Sequence, residues 1–172
     1  MRNAIADLEK TRTNPEGQLW EELEDVRAGM LGVEGAGQHL QPMAPQLDPE
    51  GNRIWFFTKQ NSDLVQTVGA GKRAHFAVVG EDHDYHACLA GQLMVNKDRE
   101  RIEKYWNTVV AAWFNGKDDP ELTMLEFQLS DAMVWASSSN PITFGWEIVK
   151  SNITSGEPDV GVRTQIEFRP QH

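Results

Sequence analysis

Ile54-Trp55-Phe56-Phe57-Thr58-Lys59-Gln60-Asn61-Ser62-Asp63 is an apolar run that turns polar within a few residues. Trp, Phe and Thr suit a pleated, half-buried surface, so the stretch predicts a strand that ends near Lys59. Ser62 then reads as the N-cap of a helix carrying Leu64, Val65 and Val68 at helical spacing. Hydroxyls, one amine and backbone N–H groups collect at such a junction, which suits an anion. Large alternating residues on a strand most often form core, and that is the reading for Trp55 and Phe56. Thr58 and Ser62 can serve either a ligand or simply a turn and its cap.

Working outward, Asp48-Pro49-Glu50-Gly51-Asn52 is dense in turn formers and predicts a hairpin into the central strand. Before it, residues 30–34 read as a strand and residues 38–47 as a second, interrupted by Pro42 and Pro45 and so confined to an edge. Residues 16–29 carry Leu19, Trp20, Leu23 and Val26 at helical spacing with acidic residues between them, an amphipathic cover helix that Gly29 is placed to end. Residues 1–15 lack a periodic apolar pattern and are expected to form a mobile or loosely docked arm, which leaves 16–172 as a single domain.

After the central strand, residues 74–79 and 85–95 predict two more strands, with Gly91 at a bulge. Asp98 caps a charged helix bearing Ile102, Tyr105 and Trp106, and the apolar piece from Val109 to Phe114 ends at Asn115-Gly116. Strands are expected over 122–129, 131–136 and 162–168, with a helix over 141–150 and a loop at 156–158. Short strands between turns, with few helices, indicate a mainly β (α+β) antiparallel barrel with peripheral helices and not a parallel βαβ sheet.

The formal net charge of −10 opposes nucleic acid and anionic membranes, because both depend on accumulated Lys and Arg; neither is an expected partner. No run is long and apolar enough to span a bilayer, and the first ten residues lack a signal-peptide pattern, so a cytoplasmic location is expected. Cys88 is the only cysteine, which excludes an intrachain disulfide, and its apolar neighbours give it the reading of a small core residue. His83-Asp84-Tyr85-His86 puts its two imidazoles on opposite faces of a strand, so a polar hairpin tip is favoured over a metal site. Ser137-Ser138-Ser139 has no nucleophile-elbow setting, and no paired carboxylates or activated His constellation stands out, so no catalytic residue is assigned.

Taken in order, the helix with Leu19-Trp20-Glu21-Glu22-Leu23, the Gln41-Pro42-Met43 step, Ile54 to Thr58 with Ser62, the Tyr85–Gly91 strand and Ala111-Ala112-Trp113-Phe114 before Gly116-Lys117-Asp118-Asp119-Pro120 give the chain a marked resemblance. It resembles the general stress protein 26-like branch of the pyridoxamine 5′-phosphate oxidase-like, FMN-binding split-barrel family. The resemblance implies a six-stranded antiparallel split β-barrel that forms a homodimer, with FMN in a groove at the interface. It places Gln41, Pro42, Met43 and Ala44 along the flavin ring, and Phe57, Thr58, Lys59 and Ser62 near the ribityl chain and phosphate. Trp113 of the partner subunit would stand at the flavin's edge.

Two positions depart from the family pattern. Gln41 stands where Arg is common, and Asp63 and Leu64 follow the motif serine where a basic residue is common. Each hydrogen bond to a charged group contributes about 1.5–3 kcal/mol, so losing two costs roughly two to four powers of ten in affinity. Lys59, Lys72, Arg73 and His39 are the cations expected to remain nearby. Two function classes follow: a flavin-dependent oxidoreductase or flavin reservoir, and a non-enzymatic, stress-related binding protein with a weakened or altered flavin site.

Overall fold

The computed structural model describes residues 6–137, 148–150 and 161–169. Its strands are β1 (Gly29–Val33), β2 (Gln41–Met43), β3 (Gln46–Asp48), β4 (Arg53–Lys59), β5 (Lys72–Val79), β6 (Tyr85–Asn96), β7 (Leu122–Ser137) and β8 (Gly161–Glu167). Its helices are α1 (Leu8–Thr13), α2 (Pro15–Asp25), α3 (Asp63–Val68), α4 (Arg99–Tyr105) and α5 (Thr108–Ala111). The expected helix over 141–150 lies outside the described residues except for 148–150, which are helical, and the loop at 156–158 lies outside them altogether.

Every strand pairing is antiparallel, and the sheet runs β2-β1-β5-β6-β7-β4-β3, with β8 added to β7. β2 and β3 therefore form opposite edges of the path, yet only Ala44 and Pro45 separate them in sequence. Three Cα steps span at most about 11 Å, so the sheet must curl until its edges nearly meet. Pro42 and Pro45 have no N–H to give a ladder there. The result is a split antiparallel barrel, closed by covalent chain at one seam instead of by hydrogen bonds.

The period of two along β4 fills two cores at once. Ile54 and Phe56 point into the main core, where Phe56 meets Phe76 and Phe127 at centroid distances of 5.0 and 6.4 Å. Trp55 and Phe57 point outward into a smaller cluster under α4, with Tyr105 stacked on Trp55 at 5.8 Å and Trp106 edge-on to Phe57 at 6.1 Å. The core reading of Trp55 and Phe56 thus holds, in two different cores. Leu19, Trp20 and Leu23 of α2 cover one opening of the barrel.

The structure differs from the sequence expectations at several points. The sheet has eight strands where the resemblance implies six; the expected strand over 38–47 is broken at its prolines into β2 and β3, and the strand expected over 162–168 is β8, paired with β7. Residues 122–137 form one strand, not two. Within the stretch 1–15, expected to be a mobile or loosely docked arm, Leu8–Thr13 form α1, with Ala6 in the main core, Leu8 packed against it, and polar contacts beside them. Thr11 is fully buried and donates to Gln18 Oε1 at 2.7 Å, Gln18 Nε2 donates to the Asp7 carbonyl at 3.2 Å, and Ala6 N–H donates to Asp84 Oδ2 at 2.5 Å. Helix α2 stops at Asp25, and Gly29 opens β1 instead of ending the helix. Cys88 faces outward between buried Ala87 and Leu89, half-buried, with Sγ 3.8 Å from His75 Nδ1. Burial first, and Asp131 second, push its thiol up. His83 lies in the β5–β6 turn at φ 59°, as expected for a hairpin tip.

The bulge expected at Gly91 is present, with the extra residue on the opposite strand. Ala90 pairs Asp131 and Gly91 pairs Leu129, which leaves Ser130 unpaired on β7. Ser130 Oγ donates to the Ala90 carbonyl at 3.1 Å, and the far side of β7 exchanges β4 for β8 at this point. A Cβ on Gly91 would lie 2.1 Å from the Gln128 carbonyl oxygen, a backbone atom that cannot rotate away. Gly91→Ala is therefore expected to destabilise the fold by about 2 kcal/mol in chemical denaturation; an unchanged midpoint would show that the bulge has room to spare.

Candidate functional site

The seam between the two sheet edges leaves a groove. β3 pairs with Arg53, Ile54 and Trp55 of β4 and starts only at Gln46, so the edge of Phe57-Thr58-Lys59 stays open on that side. Across from it run Pro42, Met43 and Ala44, held by the proline-rich crossover. Val109, Val110, Trp113 and Phe114 form the third wall, and Ala28 and Gln46 complete the lining of a cavity of about 380 Å³. That size lies within the ~300–1,000 Å³ typical of small-molecule sites.

Local sequence explains how each wall is held. Asn107 Oδ1 accepts from the N–H groups of Val109 and Val110 at 3.0 Å, starting α5, while Asn107 Nδ2 donates to Gln46 Oε1 at 2.9 Å and ties this wall to the crossover. Val109 and Trp113 are left strongly exposed, Trp113 at 76 %. Ser62 caps α3, accepting from Val65 N–H at 3.4 Å and from Thr58 Oγ1 at 3.2 Å. The Thr58 hydroxyl is thereby engaged with the Ser62 cap.

Seven of the nine residues named from the sequence line the cavity: Pro42, Met43, Ala44, Phe57, Thr58, Lys59 and Trp113. Gln41 and Ser62 do not. Gln41 lies opposite Leu31 in the β1–β2 ladder, one residue before the lining begins at Pro42, and Ser62 lies one hydrogen bond behind Thr58. Trp113, expected from a partner subunit, lines the groove of its own chain. Ala28, Gln46, Val109, Val110 and Phe114 were missed. The run from Val109 to Phe114 was visible as apolar, but only its position across the seam makes it a wall.

The remaining cations are not where the sequence reading put them. Of Lys59, Lys72, Arg73 and His39, only Lys59 lines the groove. Arg73 lies on the outer face, donating to Glu34 at 3.2 Å, Asp131 at 3.1 Å and Ser130 at 3.3 Å beside a second cavity at the Gly91 bulge. Leu64 is buried in the main core, so a basic residue there is replaced by packing. Among the described residues no three His, Cys, Asp or Glu side chains are grouped to hold a metal ion, and no helix is long and apolar enough to cross a membrane.

Fold and groove together define a split-barrel protein with an apolar, one-ended cleft at the seam. The chain belongs to the pyridoxamine 5′-phosphate oxidase-like family, whose profile matches residues 14–159. It is 33% identical over 99 residues to general stress protein 26 of Bacillus subtilis (strain 168), a match covering 55% of this chain and 70% of the relative. Among solved structures, a candidate general stress protein 26 from Jannaschia sp. CCS1 superposes with a TM-score of 0.71 at 35% identity, over 87% of this chain and 95% of its own. The general stress FMN/FAD binding protein from Xanthomonas citri gives 0.68 at 34% identity, over 73% and 90%.

The turn beside Lys59 is organised by one carboxylate. Asp119 accepts from the N–H groups of Asn115 at 2.8 Å and Glu121 at 2.9 Å, and these bonds, with lesser help from Lys59, hold its carboxyl below the ordinary aspartate range. A depressed pKa stabilises above the unfolded value and loses that contribution as pH falls through the folded one. Protection factors at the Asn115 and Glu121 amides are therefore expected to be high at neutral pH, to fall on acidification below the aspartate range, and to be low throughout in Asp119→Ala. Equal protection in the variant at neutral pH would contradict this role.

Proposed function

We propose that the groove binds a flavin, with FMN as the expected cofactor, and that the protein works as a flavin-dependent oxidoreductase or flavin reservoir. The observation that carries this is the seam itself. An open strand edge at Phe57–Lys59, a proline-held wall at Pro42–Ala44 and an exposed Trp113 form one apolar cleft in a chain whose 34%-identical structural neighbour is described as FMN/FAD binding. The cleft fits the ring of such a cofactor in size and apolar character, with the Thr58 oxygen and the Gln46 amide as polar contacts at its margin.

A bound flavin supplies hydride and single-electron exchange, while the protein supplies position and electrostatics. Here Pro42, Met43 and Phe57 exclude water, Trp113 offers a face to the ring, and Thr58 offers a hydroxyl group. Lys59 is the only lining side chain that carries charge at neutral pH among the described residues, so the cleft provides no carboxylate or imidazole for acid–base work. We also propose that the protein is a cytoplasmic homodimer. Met30, Val79 and Trp135, each 40–48% exposed, lie on paired strands and give a second copy an apolar surface to cover.

The test is a titration with FMN followed by quenching of tryptophan fluorescence. Saturable quenching with a micromolar or tighter dissociation constant is expected; absence of saturation would reject the flavin reading and favour a binding protein with an altered site. Trp113→Ala should weaken FMN about threefold to tenfold, the value of an aromatic stacking pair. Its effect on folding should be small, because the side chain is exposed.

A further inference from the structure

At the Lys59 end of the groove the charges oppose the phosphate that FMN carries. The Lys59 ammonium lies 3.2 Å from Glu121 Oε2. Backbone geometry sets this pair: Lys59 stands opposite Leu122 in the β4–β7 ladder, and Gln60 N–H donates to the Glu121 carbonyl at 2.7 Å, so the two side chains leave adjacent segments side by side. Asp119, fixed by its two amide bonds and close enough to Lys59 to feel its charge, adds a second carboxylate. One ammonium is thus already paired with Glu121, with the Asp119 carboxylate in the adjoining turn, before any ligand arrives.

Nothing else on the described groove wall compensates. Gln41 is in the ladder, Leu64 is in the core, and Arg73 is held by Glu34 and Asp131 on the outer face. A phosphate monoester brings about −1.5 to −2 charges. It must compete with Glu121 for Lys59 in a corner whose net charge is already negative.

We infer that the groove selects its flavin by the ring and not by the 5′-phosphate, with Glu121 as the residue that cancels phosphate selection, so that riboflavin and FMN bind alike. This rests on the flavin reading above and adds to it the class of tail the site accepts. Since Lys59 and Glu121 are each about half exposed, at 55% and 54%, the competition takes place in wet surroundings. Its effect is therefore of the size seen for exposed ion pairs, up to about fivefold in affinity.

The experiment compares riboflavin and FMN on the wild type, on Glu121→Gln and on Glu103→Gln. Glu103 pairs with Arg99 and Lys117 outside the groove lining, so its variant makes the same change in net charge elsewhere. The wild type should bind both flavins within about threefold of each other. Glu121→Gln should tighten FMN about fivefold and leave riboflavin where it was, while Glu103→Gln should change neither. FMN binding tenfold or more tighter than riboflavin on the wild type would overturn the inference while leaving the flavin reading intact. So would a Glu121→Gln ratio equal to the wild type's, or a Glu103→Gln variant that behaves like Glu121→Gln. If neither flavin binds, the flavin reading falls and takes this inference with it. Thermal melting of both variants shows whether the fold is retained; both positions are exposed and neither side chain holds the backbone.

Discussion

Two residues, Ala44 and Pro45, carry the chain from one edge of the sheet to the other, and most of the architecture depends on that short reach. A connection of about 11 Å at most forces seven strands to curl, while Pro42 and Pro45 deny the seam a ladder. The barrel is consequently closed without being sealed. The groove is what remains open, and its walls are the residues that flank the seam: the crossover, the unpaired end of β4, and α5 tied to the crossover by the Asn107–Gln46 bond.

The same constraint explains why β4 serves both structure and site. Its first half is paired on both sides and packs two cores, with Ile54 and Phe56 inward and Trp55 outward. Its second half has a partner on one side only, so Phe57, Thr58 and Lys59 leave one backbone edge open to the cleft that they line. The open cleft here comes from a ladder that stops early. The electrostatics follow from the other neighbour: β7 brings Glu121 alongside Lys59, and the Asn115–Glu121 turn brings Asp119. A site with apolar walls and a neutralised cation favours an uncharged ring over a charged tail.

Much of this was legible in the sequence where local chemistry decides structure. The period-two run at Ile54–Phe57, the Ser62 cap, the Asp98 cap and the Asp48–Asn52 turn all depend on residues within a few positions of one another. Seven of the nine residues that the resemblance names line one cavity, a grouping that no local rule supplies. What stayed hidden depends on distant partners. Thr11 and Gln18 dock α1 by hydrogen bonds that no hydropathy pattern records. Arg73 is close in sequence to the expected site, but strand pairing sends it to Glu34 and Asp131 on the outer face. Lys59 was readable as a cation, whereas its pairing with Glu121, 62 positions later, was not.

The seam, and not the larger cavity at the Gly91 bulge, is the proposed ligand site. Amide chemical-shift mapping on the isotope-labelled protein during addition of riboflavin tests it most directly. Perturbations concentrated at residues 43–46, 57–59 and 109–114 are expected, with little change around Arg73, Gln92 and Ser130. Perturbations centred on the bulge face, or none at saturating ligand, would contradict it.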